Sequence, residues 1–414
     1  MDILVIIAVV VGLYMAWNIG ANDVANSMAD AVGSRALTIV AAVVLAGICE
    51  FAGAVLVGGH VTDTIRKGIV DPANFAADPR LLAHGMVCAM LAAGIWLNAA
   101  SYAGMPVSTT HSIVGALIGF GIVEAGFSSI CWGTLGQIVA SWFISPIVGG
   151  LLAYIIFRLI SHFVLGREKP AIGARRTAPV CVFFTFFILS LAVIFKGLKN
   201  LNLNLTGPRA FFVCATIGIV AALIAWILIR RTGGNYGEKP LEVQLDRVER
   251  IFTVLVIFTS CTVAFAHGAN DVANAVGPLA AVVEICRTNT IATEIPVSMW
   301  ILVLGGIGIV VGLTTFGYRV IRLVGTKVTE ITPSRGVAAD IAAMTTVLAC
   351  SRLGLPVSTT HTLVGAILGV GLARGITAIN AQVVRSIFTS WFATVPIAAI
   401  LTIVLFLLDK WLFL

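Results

Sequence analysis

The sequence predicts an all-α polytopic membrane protein, with about twelve transmembrane segments in two inverted-topology repeats that include re-entrant helical hairpins. Three observations predict this. Of 414 residues, 59% are hydrophobic and 11% charged, with a mean hydropathy of +1.04. A soluble chain of that length needs more charge to cover its surface. Apolar stretches long enough to cross ~30 Å of hydrocarbon recur from end to end. Two polar motifs also occur twice, in the same order.

The first is Gly20-Ala21-Asn22-Asp23-Val24-Ala25-Asn26, repeated unchanged as Gly268-Ala269-Asn270-Asp271-Val272-Ala273-Asn274. The second is Pro106-Val107-Ser108-Thr109-Thr110-His111, repeated as Pro356-Val357-Ser358-Thr359-Thr360-His361. Val114-Gly115-Ala116 against Val364-Gly365-Ala366, and Ser141-Trp142-Phe143 against Ser390-Trp391-Phe392, keep the register. Such spacing indicates an internal duplication. It divides the chain into a first repeat (1–165), two linking helices with a short cytoplasmic loop (166–249) and a second repeat (250–414). Each repeat holds five segments and two more separate them. The second repeat therefore starts an odd number of crossings after the first, which inverts it.

Loop charge orients the chain. The side holding Arg158, Arg167, Lys169, Arg175, Arg176, Arg230, Arg231, Lys239, Arg247, Arg250, Arg319, Arg322, Lys327 and Arg335 outweighs the side holding Arg66, Lys67, Arg80, Lys196, Lys199 and Arg209. By the positive-inside rule the richer side is cytoplasmic, which puts both termini outside a multi-pass cell-membrane protein. The net charge of +7 is thus spent on orientation, and no basic run is interleaved with aromatics to suggest nucleic acid. The eight Cys are scattered without a CxxC pair and read as small buried residues. No GxxxxGK[ST] sequence supports ATP-driven pumping.

Polarity inside the apolar segments marks the site. Asn22, Asp23 and Asn26 end a segment read as one helix over 3–27, and Asn270, Asp271 and Asn274 sit alike in one read over 250–276. An ionisable group at membrane depth is costly and marks a pathway or a bound ion. Carboxylate and amide oxygens without thiol or imidazole suit a hard cation such as Na+. The spacing of Asn22 and Asn26 places both on one helix face, and Gly20 and Gly268 offer places for the helix to open. The competing reading is a pair of satisfied interhelical polar contacts.

The second motif suits an anion. Gly104-x-Pro106 and Gly354-x-Pro356 break the chain, and Ser108, Thr109, Thr110 and Ser358, Thr359, Thr360 follow where a helix starts. Free N–H groups, the positive dipole end and three hydroxyls form an anion cradle without Lys or Arg. Ordinary N-capping is the competing reading, and it leaves the consecutive hydroxyls unexplained. His111 and His361 either reach the anion or fix their own turns, the second being the commoner role for such a histidine. Glu50 and Asp340 are further intramembrane acids that either serve coupling or pair with a neighbouring polar group.

With both duplicated motifs in view, the chain resembles the inorganic phosphate transporter family, also called the PiT family. The resemblance covers essentially the whole chain. It implies symport of inorganic phosphate with Na+ or H+, a homodimer in the lipid bilayer, and no cofactor beyond the transported ions. It implies that Asp23 and Asp271 are essential acids, that Ser108, Thr109, Thr110, Ser358, Thr359 and Thr360 bind phosphate, and that Glu50 matches an acid important in some relatives. Phosphate and two acids in one dry site repel unless cations intervene, which is the coupling a symporter needs. An anion channel and a membrane-embedded enzyme are the competing classes. A channel needs no carboxylate beside an anion cradle, and an active site needs only one catalytic set.

Overall fold

A computed structural model describes residues 2–60, 69–194, 207–231, 236–291, 297–318, 320–321, 330–352, 357–375 and 379–413. Among them every extended element is helical, and the one β contact is an isolated bridge between Val70 and Ile130. The first half holds α1 (Ile3–Asn22), α2 (Val24–Ser27), α3 (Ala29–Gly33), α4 (Ile39–Val57), α5 (Pro79–Tyr102), α6 (Thr109–Ala125) and α7 (Trp132–Ile160). Then come α8 (Pro170–Ala192) and α9 (Gly207–Arg231). The second half holds α10 (Leu241–Asp271), α11 (Ala273–Thr288), α12 (Met299–Gly312), α13 (Pro333–Arg352), α14 (Thr359–Arg374) and α15 (Ala381–Phe413).

Nine helical stretches among the described residues are long and apolar enough to cross a bilayer. They carry the exposed side chains that would face lipid, such as Phe212 (70% exposed) and Trp411 (82%). By contrast α6 spans 17 residues and α14 spans 16, about 24–26 Å at the helical rise, short of the hydrocarbon thickness. These are the segments expected to be short, and each starts after its Pro-Val-Ser.

The packing exchanges partners between halves. Helix α1 lies on α12 while α10 lies on α4; α6 lies on α15 while α14 lies on α7. Glycines permit each crossing. A Cβ at Gly20 would sit 1.9 Å from Ile309 O, and one at Gly268 would sit 2.3 Å from Glu50 O. The second set behaves alike, with Gly119 2.4 Å from Ala399 O and Gly369 1.9 Å from Gly150 O on the same construction. In lipid such close backbone approach replaces the hydrophobic drive for helix association.

Two expectations are corrected here. The helix read over 3–27 is interrupted at Asp23, and that read over 250–276 at Val272. The glycines do not open these helices. Gly20 and Gly268 stay helical because they are needed at the α12 and α4 crossings, and the break falls at Asp23 in the first half and just after Asp271, at Val272, in the second. As a consequence, the i, i+4 face imagined for Asn22 and Asn26 is not one continuous helix.

Candidate functional site

Each half brings its broken helix against a hydroxyl-rich helix start. Ser108 caps α6 by accepting from His111 N at 3.2 Å, and Ser358 caps α14 by accepting from His361 N at 3.2 Å. Each serine thus fixes the start of its own helix, from which the threonines that follow reach the broken helices.

The acids and threonines interlock across the halves. Asp23 accepts from Thr109 N at 3.2 Å through Oδ2 and from the Thr360 hydroxyl through Oδ1. Asp271 accepts from the Thr359 hydroxyl at 2.7 Å and from Asn270 Nδ2 at 2.8 Å. Asn274 Nδ2 donates to Thr109 Oγ1 at 3.0 Å and reaches Thr110 Oγ1 at 3.3 Å. Asp23 and Asp271 are each 1% exposed, so neither faces water on either side. A backbone N–H at a helix start is a natural partner for an anion, and here a carboxylate holds it.

The amides divide their work. Asn22 donates to Ser101 Oγ and Met105 O, both at 3.0 Å, and its Oδ1 accepts from Val107 N at 3.1 Å. It therefore ties α1 to the connection that precedes α6. The side chain of Asn26, and Gly354 and Pro356 of the second break, lie outside the described residues.

The histidines of the second motif pack together as aromatic bodies. The His111 ring lies 3.6 Å from Trp142, tilted, and meets His361 edge-on at 4.2 Å, and His361 in turn stacks 3.5 Å from Trp391. The turns are fixed by Ser108 and Ser358, so the rings are free to pack as aromatic bodies where the two halves meet.

A different histidine joins the site. His267 Nε2 lies 2.6 Å from Asp271 Oδ2, and its Nδ1 lies 3.0 Å from Glu50 Oε1. Asp23, His267 and Asp271 present ligand atoms within 4.8 Å of one another. One imidazole thus lies between two buried carboxylates. Sequence reasoning passed over His267 because the duplication was its guide, and the equivalent residue is Ile19. The available signal was the i, i+4 spacing from His267 to Asp271.

A second polar cluster lies nearby on α3, α10 and α13. Asp340 Oδ2 accepts from Thr259 at 2.6 Å and Ser260 at 2.8 Å, with Asp30 buried at 1% exposure in the same environment. Asp30 also escaped the sequence reading, since it follows the residue at which the first apolar segment was ended. Between His267, Ser27, Thr359 and Thr360 there is a cavity of about 20 Å³, the room a water-sized species occupies.

Comparison with known proteins agrees with this architecture. The phosphate transporter family profile matches residues 19–402. A candidate phosphate permease of Thermococcus kodakarensis is 46% identical over 406 residues, covering 98% of both chains. The chloroplastic inorganic phosphate transporter 2-1 of Arabidopsis thaliana is 43% identical, covering 95% of this chain and 70% of its own. A solved structure titled as the sodium-dependent phosphate transporter superposes with a TM-score of 0.91 at 40% identity, covering 99% of each chain. The chain belongs to the phosphate transporter family, as a multi-pass membrane transporter and not an enzyme.

Proposed function

We propose that the chain imports inorganic phosphate across the cell membrane by symport with Na+, through alternating access at a site between two inverted repeats. The observation that carries this reading is the interlock itself. The donors suited to an oxyanion, Thr109 N and the hydroxyls of Thr359 and Thr360, are held by Asp23 and Asp271. A cation at those carboxylates competes with the donors for the same oxygens. Released donors turn to phosphate, while the cation offsets the repulsion between phosphate and acid. Cation and anion thus favour each other's binding, which is the coupling free energy of a symporter. Asp23, Asp271, Asn270 and Asn274 serve the cations, and Ser108, Thr109, Thr110, Ser358, Thr359 and Thr360 surround the phosphate. Asn22 and Glu50 position these groups.

The exchanged helix pairs, α1 on α12 against α10 on α4, support an inverted duplication. With α6, α13 and α14 added to the nine apolar stretches, the chain has twelve transmembrane segments, the short α6 and α14 forming the re-entrant parts, both termini lie outside, and two copies form the working dimer. The burial of both acids supports a closed arrangement that must open to one side at a time.

The test is labelled-phosphate uptake into proteoliposomes under imposed Na+ and pH gradients. Na+-driven uptake is expected, and its Na+ dependence is expected to weaken in Asp23→Asn. If Asp23→Asn binds phosphate with an unchanged Na+ dependence, the role of Asp23 is refuted. Uptake driven by a pH gradient alone would move the coupling to a proton, the reading favoured by His267 between Asp271 and Glu50.

A further inference from the structure

We propose that the groove between α7 and α8 is the seat of one anionic glycerophospholipid. The groove encloses about 1190 Å³ and follows α8 along much of its length, with α13 as its floor. Its walls are apolar along that length: Ile155 and Leu159 on α7 face Val180 and Phe184 on α8, and Leu348 lies beneath. Its charge is gathered at one end. There the exposed Arg167, Lys169 and Arg176 form the rim, with Glu168 as the single opposing charge. The Arg167 guanidinium lies 5.8 Å over the Phe163 ring, which places a cation at the boundary between the charged rim and the apolar wall.

This division matches one kind of occupant. A phosphodiester headgroup fits the net positive rim, and two acyl chains fit the apolar slot. A zwitterionic lipid would match the slot but gain less from the rim. A helix from a second copy would fill the slot and leave the rim uncompensated. The rim residues are also those the loop charges place at the cytoplasmic surface, where anionic lipid is met. A lipid held here braces α8 against α13, the helix that leads into the start of α14. The inference depends on membrane embedding and not on which ion is transported.

Native mass spectrometry of the full chain released from nanodiscs of equal phosphatidylglycerol and phosphatidylcholine tests it. One phosphatidylglycerol per chain is expected to stay bound after phosphatidylcholine has left. The triple variant Arg167→Ala, Lys169→Ala, Arg176→Ala is expected to lose that preference by on the order of tenfold. The charge-keeping pair Arg167→Lys, Arg176→Lys is expected to retain it. Val180→Trp, which fills the slot and keeps the rim, is expected to lower retention of both lipids. Saturating inorganic phosphate is expected to leave retention unchanged. Equal retention of the two lipids, a triple variant with the full preference, or displacement by inorganic phosphate overturns the proposal. A cross-link between two chains across this groove assigns it to a second copy and overturns it as well.

Discussion

In the first half, Gly20 follows Ile19 and lies against Ile309; in the second, Gly268 follows His267 and lies against Glu50. The crossings correspond, yet one carries two aliphatic side chains and the other an imidazole joined to a carboxylate. The second cluster is equally one-sided. Asp30 and Asp340 have Pro278 and Met90 at the matching repeat positions. Both extra polar sets flank α10, through His267, Thr259 and Ser260. The duplication thus supplies a symmetric frame and a symmetric pair of acids, while the polar groups gathered around α10 distinguish one acid from the other. Charge at membrane depth is expensive, by ~2.5–3.5 kcal/mol for an acid on insertion scales.

That comparison can be broken most directly at the acids. Asp23→Asn and Asp271→Asn are each expected to lower phosphate uptake by roughly 10–100-fold, the value of charge-assisted hydrogen bonds lost from a buried site. Asp271→Asn should be the more damaging, since it also removes a partner of His267. Equal losses in initial rate would mean that α10 does not distinguish the acids.

Next in size is the conversion of the second crossing to the chemistry of the first. His267→Ile leaves Glu50 and Asp271 without their shared partner and is expected to destabilise the chain by about 3–5 kcal/mol. Adding Glu50→Ile should recover part of that loss in a thermal unfolding assay while uptake stays low. If the double variant is no more stable than His267→Ile alone, His267 and Glu50 are not an energetic pair.

Glycine replacement tests the shared frame. Gly20→Ala and Gly268→Ala place a methyl against backbone carbonyls at 1.9 and 2.3 Å and should each cost ~1–3 kcal/mol. Gly133→Ala meets nothing within 4 Å and should leave the melting temperature unchanged. A large difference between Gly20→Ala and Gly268→Ala would show that the two crossings are not equivalent in packing.

The smallest effect is expected at the histidine stack. His111→Phe keeps a ring against Trp142 and should change stability by less than ~1.5 kcal/mol, with uptake near wild type. Abolished uptake with normal stability would return His111 to the transport machinery.

The sequence by itself determined the membrane class, the duplication and the identity of the acids and hydroxyls. Composition sets where a chain can be solvated, and two long motifs kept in register are visible without coordinates. Pro-Val-Ser-Thr-Thr also specifies a helix start locally, and Ser108 and Ser358 cap as that motif requires. Only the tertiary structure decided which residues meet. Thr360 reaches Asp23 and Asn274 reaches Thr109 because the helix pairs exchange partners between halves, a relation no local pattern encodes. It also gave His267 its place and moved His111 and His361 into an aromatic stack. The break at Asp23 rather than Gly20 has the same origin. A glycine loosens a helix only where nothing needs its bare face, and here Ile309 packs directly upon it.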